Sequence, residues 1–494
     1  MPLPWLAPVA LLAGAAPDPE LEGMPGPPPE PSGFAAPAEP VSEAAPAPPP
    51  FSPEVRFGGS FATRVDADLA DEGQHEDVLE GRLRLDLELA ARLSPRTTAL
   101  VSGRLAHESR TPDMAFDGAR YGHDVELREA RFSWQGEGVG VDVGNLFLRW
   151  GVADAASPND VLNPQDFRDS APVAFETPLV PVPAVRLTAS PGDFAFELDV
   201  LPFFEPHRAA LFGTDWAPVG ANPQVAALSG LVDQALSRAA IEDAQPLLLS
   251  SNPPDESPRN ATVGTRVGWH GPGVDVHLNA MHGWDRVPAT TLDPDFLALV
   301  EAVRDDDLPA QLAVFGRLRP RLAAGEALFE STYRRQNLVG ADAAWAVGDF
   351  LLKAEAAHSF ARTLYLADFT PVRTASLSWA AGFDWLPDPD LDVTLECFGL
   401  RPSEAGDYLF LGRQLVNLTA HVRWAPLTDT LTLELLGQYG LTRGDHTLAP
   451  SLRWQPADGH ALSAGVYVLA GPDDSVGGVF DPNDAGWARY TLSF

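Results

Sequence analysis

One pattern constrains this chain more than any other: from Val55 onward, apolar and polar residues alternate with a period of two in runs of about ten residues or more. The clearest run puts Leu79, Gly81, Leu83, Leu85, Leu87, Leu89, Ala91 and Leu93 on one face. The intervening positions are Glu80, Arg82, Arg84, Asp86, Glu88, Ala90 and Arg92. A period of two is the signature of a β-strand with two unlike faces. Strands of soluble domains are typically only about five or six residues long. A run this long, apolar on one side and charged with both signs on the other, suits a strand with hydrocarbon outside and water inside. The same alternation places Val55, Phe57, Phe61 and Val65 opposite Arg56, Ser60, Arg64 and Asp66, and Val339, Ala341, Ala343, Trp345 and Val347 opposite Asp342. It recurs in Ala375, Leu377, Trp379, Ala381, Phe383 and Trp385, and in Val416, Leu418, Ala420, Val422 and Trp424 opposite Asn417, Thr419, His421 and Arg423. About eighteen strands are predicted, near 55–69, 78–93, 97–109, 124–134, 139–150, 182–190, 194–203, 260–270, 274–285, 334–347, 350–362, 374–386, 391–400, 411–424, 430–442, 447–455, 461–470 and 485–494.

The connections segregate by length. Every second one is a tight turn, such as Ser94-Pro95-Arg96, Gly271-Pro272-Gly273, Gly348-Asp349 or Pro456-Ala457-Asp458-Gly459, while those between are mostly longer and variable. Turns on one side and long loops on the other make an all-β, transmembrane, antiparallel up-and-down β-barrel, with the turns periplasmic. Two long loops carry helical spacing, at Val225, Leu228, Val232, Leu236 and Ala239 and at Leu308, Leu312, Phe315, Leu318 and Leu322. Short helices there either cap the extracellular mouth or enter the lumen. Trp134, Trp150, Trp269, Trp284, Trp345, Trp379, Trp385, Trp424, Trp454 and Trp487 fall mainly near strand ends, where amphipathic rings sit at headgroup level.

The barrel is expected over 54–494. Ahead of it, residues 1–16 form an apolar segment ending in small residues, as a signal peptide does, without a basic start. Residues 17–53, rich in proline and acid, read as a disordered linker. No apolar run after the N-terminus is long enough for a membrane-crossing helix. The chain holds 68 acidic and 34 basic residues, a formal charge of −34, so nucleic acid is not an expected partner. Cys397 is the one cysteine and forms no intramolecular disulfide. The last strand alternates Ala488, Tyr490, Leu492 and Phe494 and ends on an aromatic ring. Tyr490, Leu492 and Phe494 are therefore the expected signal for the outer-membrane assembly machinery.

The most distinctive stretch runs from Gly144 through Arg149-Trp150-Gly151 to Asp154, then Pro158-Asn159-Asp160-Val161-Leu162-Asn163-Pro164-Gln165-Asp166-Phe167-Arg168. A strand ending in R-W-G, followed by D…P-x-D-V-L-N-P-x-D-x-R, resembles a proteobacterial family of porin-like outer-membrane barrels. Members of that family are often encoded beside RND-type exporters of hydrophobic molecules. Arg335–Trp345 and Lys353–Ala357 are similar to the family's second half. The resemblance spans most of residues 55–494 and implies barrel architecture and a transport role. Read from its own residues, the loop combines Asn and Asp acceptors with rigid prolines. Folded inward, it would narrow a pore; otherwise its Asn and Asp side chains simply cap local turns. Arg149, Trp150, Asp154, Asn159, Asp160, Asn163, Asp166 and Arg168 are the candidate constriction residues. Arg82, Arg84, Asp86, Glu88, Asp342, His421 and Arg423 are expected on the lumen wall.

No G-x-S-x-G, H-E-x-x-H or phosphate-loop motif is present, and the histidines are scattered, so no enzyme, cofactor or metal site is expected. The acidic stretch from Asp473 to Asp484 lacks calcium-loop spacing and reads as a solvated loop. Barrels of 16 to 18 strands leave an aqueous channel. The leading expectation is passive diffusion of small hydrophilic or cationic solutes across the outer membrane, with membrane lipid as the surrounding partner. The alternatives are a plugged surface barrel acting in adhesion or scaffolding, and a carrier of hydrophobic molecules working with an exporter. One chain does not decide between monomer and trimer.

Overall fold

The computed structural model describes residues 51–69, 79–109, 124–167, 179–208, 249–305, 307–327, 329–366, 370–427 and 430–494. Its strands are β1 (Glu54–Asp68), β2 (Leu79–Ser94), β3 (Thr97–Ser109), β4 (Asp124–Gln135), β5 (Val139–Leu146), β6 (Val182–Ala189), β7 (Phe194–Leu201) and β8 (Leu249–Asn252). They continue as β9 (Thr262–Gly271), β10 (Val274–Trp284), β11 (Ala289–Leu292), β12 (Phe329–Thr332), β13 (Arg335–Val347), β14 (Phe350–Tyr365), β15 (Pro371–Asp388) and β16 (Leu391–Pro402). The last are β17 (Leu415–Trp424), β18 (Leu431–Gly440), β19 (His446–Ala457), β20 (His460–Ala470) and β21 (Ala485–Ser493).

Eighteen of these strands make one sheet. Each pairs antiparallel with its neighbour in the chain, and β7 joins β9 and β10 joins β13 across long loops. The sheet closes where β1 meets β21, from Ser60 opposite Ser493 to Asp68 opposite Ala485. Gly59 and Phe494 exchange both backbone hydrogen bonds at 2.9 Å, and the ring of Phe494 lies 6.3 Å from that of Phe57. Closure leaves no open edge and satisfies the backbone inside the wall, as a hydrocarbon environment demands. The three short strands β8, β11 and β12 form a separate small sheet in the loops between wall strands.

The faces follow the period-two pattern. Val55, Phe57, Leu83, Leu89, Val101, Leu105, Val267, Leu278, Val339, Leu377, Leu435 and Leu452 are exposed large hydrophobic side chains of the outer face. Their strand neighbours Ser60, Asp86, Asp199, Asn279, Asp342, Glu396 and Asn417 are buried polar residues of the inner face. In β4 a register shift against β3 lets the adjacent Arg128 and Glu129 both turn inward. Trp134, Trp269, Trp345, Trp385, Trp424 and Trp454 are exposed close to the short turns and ring that end of the wall. Trp150 and Trp487 do not belong to this girdle: they are 2% and 8% exposed and lie inside. Trp487 falls on the opposite parity from Tyr490 and Leu492, and the guanidinium of Arg64 sits over its ring.

Two further differences from the sequence reading concern chain direction and helices. The strand expected to end at Arg149-Trp150-Gly151 stops at Leu146, and the R-W-G segment leaves the wall. Gly144 sits at φ 141°, where a Cβ would lie 1.8 Å from the Ala130 carbonyl oxygen, so β5 approaches β4 closely just before departing. The helical spacing at 308–322 is the helix α2 (Leu308–Ala323), and a preceding helix not anticipated, α1 (Pro294–Arg304), packs with it. Arg321 of α2 pairs with Asp293 at 2.6 Å and with Asp295 at 3.3 Å, tying the two helices together. The helical pattern at 225–239 lies outside the described residues, as do the signal segment 1–16 and nearly all of the linker 17–53.

Candidate channel constriction

The loop after β5 turns into the lumen, and single side chains fix its course. Asn163, 1% exposed, accepts from Leu148 N at 2.7 Å. Its amide donates to Leu146 O at 3.2 Å and to Val180 O at 2.7 Å. One asparagine thus joins the outgoing and returning arms of the loop, satisfying three backbone groups that a departing strand would leave unpaired. Trp150 donates its indole N–H to Glu197 of β7 at 2.7 Å. Its ring lies on Gly264 of β9, where a Cβ would come within 2.6 Å, so the inner wall is a flat seat for the aromatic ring. Leu148, Trp150 and Leu162 form an apolar cluster with Val182, Leu201, Met281 and Leu338 from the inner wall.

Beyond Trp150 the loop wraps two wall carboxylates. Glu355 of β14 accepts from Ala153 N at 3.2 Å, Ser157 Oγ at 3.1 Å and Asn159 Nδ2 at 3.1 Å. Asn159 also donates to Ala341 O at 3.1 Å. Glu396 of β16, 1% exposed, accepts from Asp154 N at 3.0 Å and Ala155 N at 2.6 Å. Lys353, the only lysine of the chain, bonds Asp154 and lies 2.8 Å from Asp384 and 3.2 Å from Glu396. The lysine therefore joins two wall carboxylates and one from the loop at a single point. Charge-assisted bonds of this kind are roughly twice as strong as neutral ones.

The remaining loop candidates are placed as follows. Arg149 is exposed, and the Asp154 side chain is 49% exposed. Burial pushes the Asp160 carboxyl up to about 6, against the opposing pull of Arg149 and Arg266. Asp166 lies 3.8 Å from Arg208, whose stronger bond is to Glu126 of β4 at 2.6 Å. Gln165 N donates to His207 Nδ1 at 2.9 Å, and burial beside Arg286 and Arg362 pushes that imidazole down to about 3. A neutral ring is what this acceptor role requires. Arg168 lies outside the described residues.

On the wall, Arg84 pairs with Asp86 at 2.6 Å, and Asp86 also takes Arg104 at 2.8 Å. Arg82 and Glu88 share that inner face, with Arg82 opposite Arg64 in register. Arg128 and Arg131 of β4 pair with Glu126 and Glu129, each at 3.2 Å. Asp342, 2% exposed, accepts from His277 at 2.7 Å, Asn279 at 2.7 Å and Arg266 at 3.2 Å. His421 and Arg423 lie opposite Thr394 and Asp392. The loop rests on β7, β9, β13, β14 and β16 and also touches the arginine-rich wall at β4, where the guanidinium of Arg128 lies 5.0 Å from the centre of the Phe147 ring. Sequence reasoning missed Glu197, Glu355, Asp384 and Glu396 as loop anchors; alternation alone would have turned them inward, without naming what they hold.

Inward-folded loops also bring an apolar cluster into the barrel, in which Phe398, Tyr408, Phe410, Phe480 and Trp487 are buried with Ala155 and Phe167 of the constriction loop.

No family model and no curated protein matches the chain. Among solved structures, a mutant porin of Rhodopseudomonas blastica aligns with 89% of this chain and 100% of its own at 12% identity, with a TM-score of 0.35. OccAB4 of Acinetobacter baumannii aligns with 89% of this chain and 97% of its own at 10% identity, with a TM-score of 0.46.

Proposed function

We propose that this protein is an outer-membrane channel for passive diffusion of small hydrophilic solutes, narrowed by the loop Phe147–Phe167. The observation that carries the reading is the contrast between the two faces of one closed wall: apolar and exposed outside, ionised and paired inside. A water-filled lumen gives those inner charges a medium; lipid tails would not. The passage runs beside the loop along the inner face of β1–β3, past Arg82, Arg84 and Arg104 and their acidic partners. An ionised wall favours hydrophilic solutes over a hydrophobic cargo. Residues 1–16 act in export, 17–53 as a periplasmic spacer, and Tyr490, Leu492 and Phe494 as the assembly signal.

The test is swelling of liposomes that contain the purified protein, in isotonic sugars of increasing size. Uptake of small sugars with a sharp size limit supports the channel; no swelling with any sugar overturns it. A second reading, a plugged barrel presenting its loops, draws on the buried cluster around Phe398, Tyr408 and Phe480. It predicts no swelling at all from a correctly inserted barrel.

A further inference from the structure

Most arginines of the inner wall are neutralised by carboxylates, but one group on the outer wall is not. On β13, Arg335 and Asn337 continue the face that carries the exposed Val339, Trp345 and Val347. On β15, Arg373 continues the face of Leu377 and Trp385, and on β10, His282 and Trp284 continue that of Leu278. Arg259 stands just ahead of β9 and is exposed. These groups touch one another in a row. Arg335 lies over the Trp284 ring at 4.3 Å and donates to Arg259 O and to Asn260 Oδ1, the latter at 3.1 Å. Arg373 donates to Arg335 O at 2.8 Å. Below them, His282 Nδ1 and Asn337 Oδ1 are 2.6 Å apart on the same exposed face. Among the described residues none of the three arginines has a carboxylate partner, in a chain whose acidic residues outnumber its basic ones 68 to 34.

Height decides what faces this row. Trp345, in the girdle beside the short turns, and Arg335 are ten residues apart on β13. At about 3.3 Å per residue and a strand tilt of about 40°, that separation is roughly 25 Å along the membrane normal, the height of the apolar band of such barrels. The row therefore lies at the headgroup level of the outer leaflet. Guanidinium groups recognise phosphate by bidentate hydrogen bonds, and a stacked, backbone-anchored arginine such as Arg335 is already ordered for it.

We propose that Arg259, Arg335 and Arg373 form a binding site for the phosphate groups of an outer-leaflet phosphoglycolipid. The site rests on the membrane-spanning reading above but not on the lumen being open. It fixes one side of the barrel to a tightly held lipid and sets the depth at which the wall sits.

The test uses the refolded full-length protein in detergent micelles, titrated with bisphosphorylated lipid A, with the same lipid stripped of both phosphates, and with inorganic phosphate, bound lipid being counted by native mass spectrometry. Arginine near an anionic surface contributes about fivefold in affinity per residue, so the Arg335→Gln/Arg373→Gln pair should weaken lipid A binding by roughly twentyfold or more. The stripped lipid should bind as weakly, and inorganic phosphate weaker still. Equal affinity of wild type and double variant, or of the two lipids, overturns the site; inorganic phosphate binding as tightly as lipid A overturns the lipid assignment. Bilayer conductance of the same double variant should equal that of wild type. A wild type that binds lipid A but does not conduct refutes the channel alone.

Discussion

Replacing Glu355 by alanine is the sharpest perturbation of the constriction. The side chain holds three donors of the loop, Ala153 N, Ser157 Oγ and Asn159 Nδ2, at 3.1 to 3.2 Å. Leaving a buried donor without its acceptor costs about 1–3 kcal/mol each. Water entering the vacated space recovers part of this, which leaves a net loss of about 3 kcal/mol in loop docking. At about 1.4 kcal/mol per tenfold, the ratio of undocked to docked loop rises by about two orders of magnitude. The loop keeps its second attachment through Glu396 and Lys353, so the barrel itself should remain folded. Single-channel recording in planar bilayers is the assay: Glu355→Ala should show a larger mean conductance and more frequent excursions to an open level. Glu355→Gln, which retains an acceptor oxygen without the charge, should fall between. Conductance and noise identical to wild type in both variants would refute the assignment of Glu355 as the anchor of the constriction.

Leu85→Arg should cost about 2–4 kcal/mol in urea titrations of the lipid-inserted barrel, whereas Arg84→Leu should cost less than about 1 kcal/mol because Asp86 keeps Arg104 at 2.8 Å; equal costs mean the faces are misassigned. The Asp160 carboxyl, raised to about 6 by burial, holds its proton more tightly in the docked loop than in the free one. Docking is therefore strongest below the ordinary carboxylate range and weakens as pH rises to about 6. Open-level noise should grow between pH 4 and 7, and Asp160→Asn should reduce that dependence. Phe494→Asp should lower the outer-membrane level of the protein in fractionated cells, and an unchanged level would count against the terminal assembly signal.

The wall was legible because each strand states its own two faces. The run from Leu79 to Leu93 needs no distant information to show which side is hydrocarbon, and the tight turns mark where each pair of strands reverses. The end of β5 was not legible, because Arg149-Trp150-Gly151 continues a plausible strand. What stops it is the Gly144 approach to Ala130 and the capture of the backbone by Asn163. The inward-folded loop was half legible. Asn159, Asn163 and the loop aspartates were singled out from local chemistry, yet the partners of Asn159 and Asp154 lie about 200 residues further along the chain, at Lys353, Glu355 and Glu396. Those partners change the electrostatics, since Asp154 is shared with a lysine. Trp487 was grouped with the girdle by its place near a strand end, although the parity of Tyr490 and Leu492 already turns it inward.

The most direct measurement is the current through a single wild-type barrel in a planar bilayer at neutral pH in a simple salt. An aqueous lumen narrowed on one side by the docked loop predicts discrete, ohmic steps that persist at low voltage. Insertion of folded protein with no current at any voltage would contradict it.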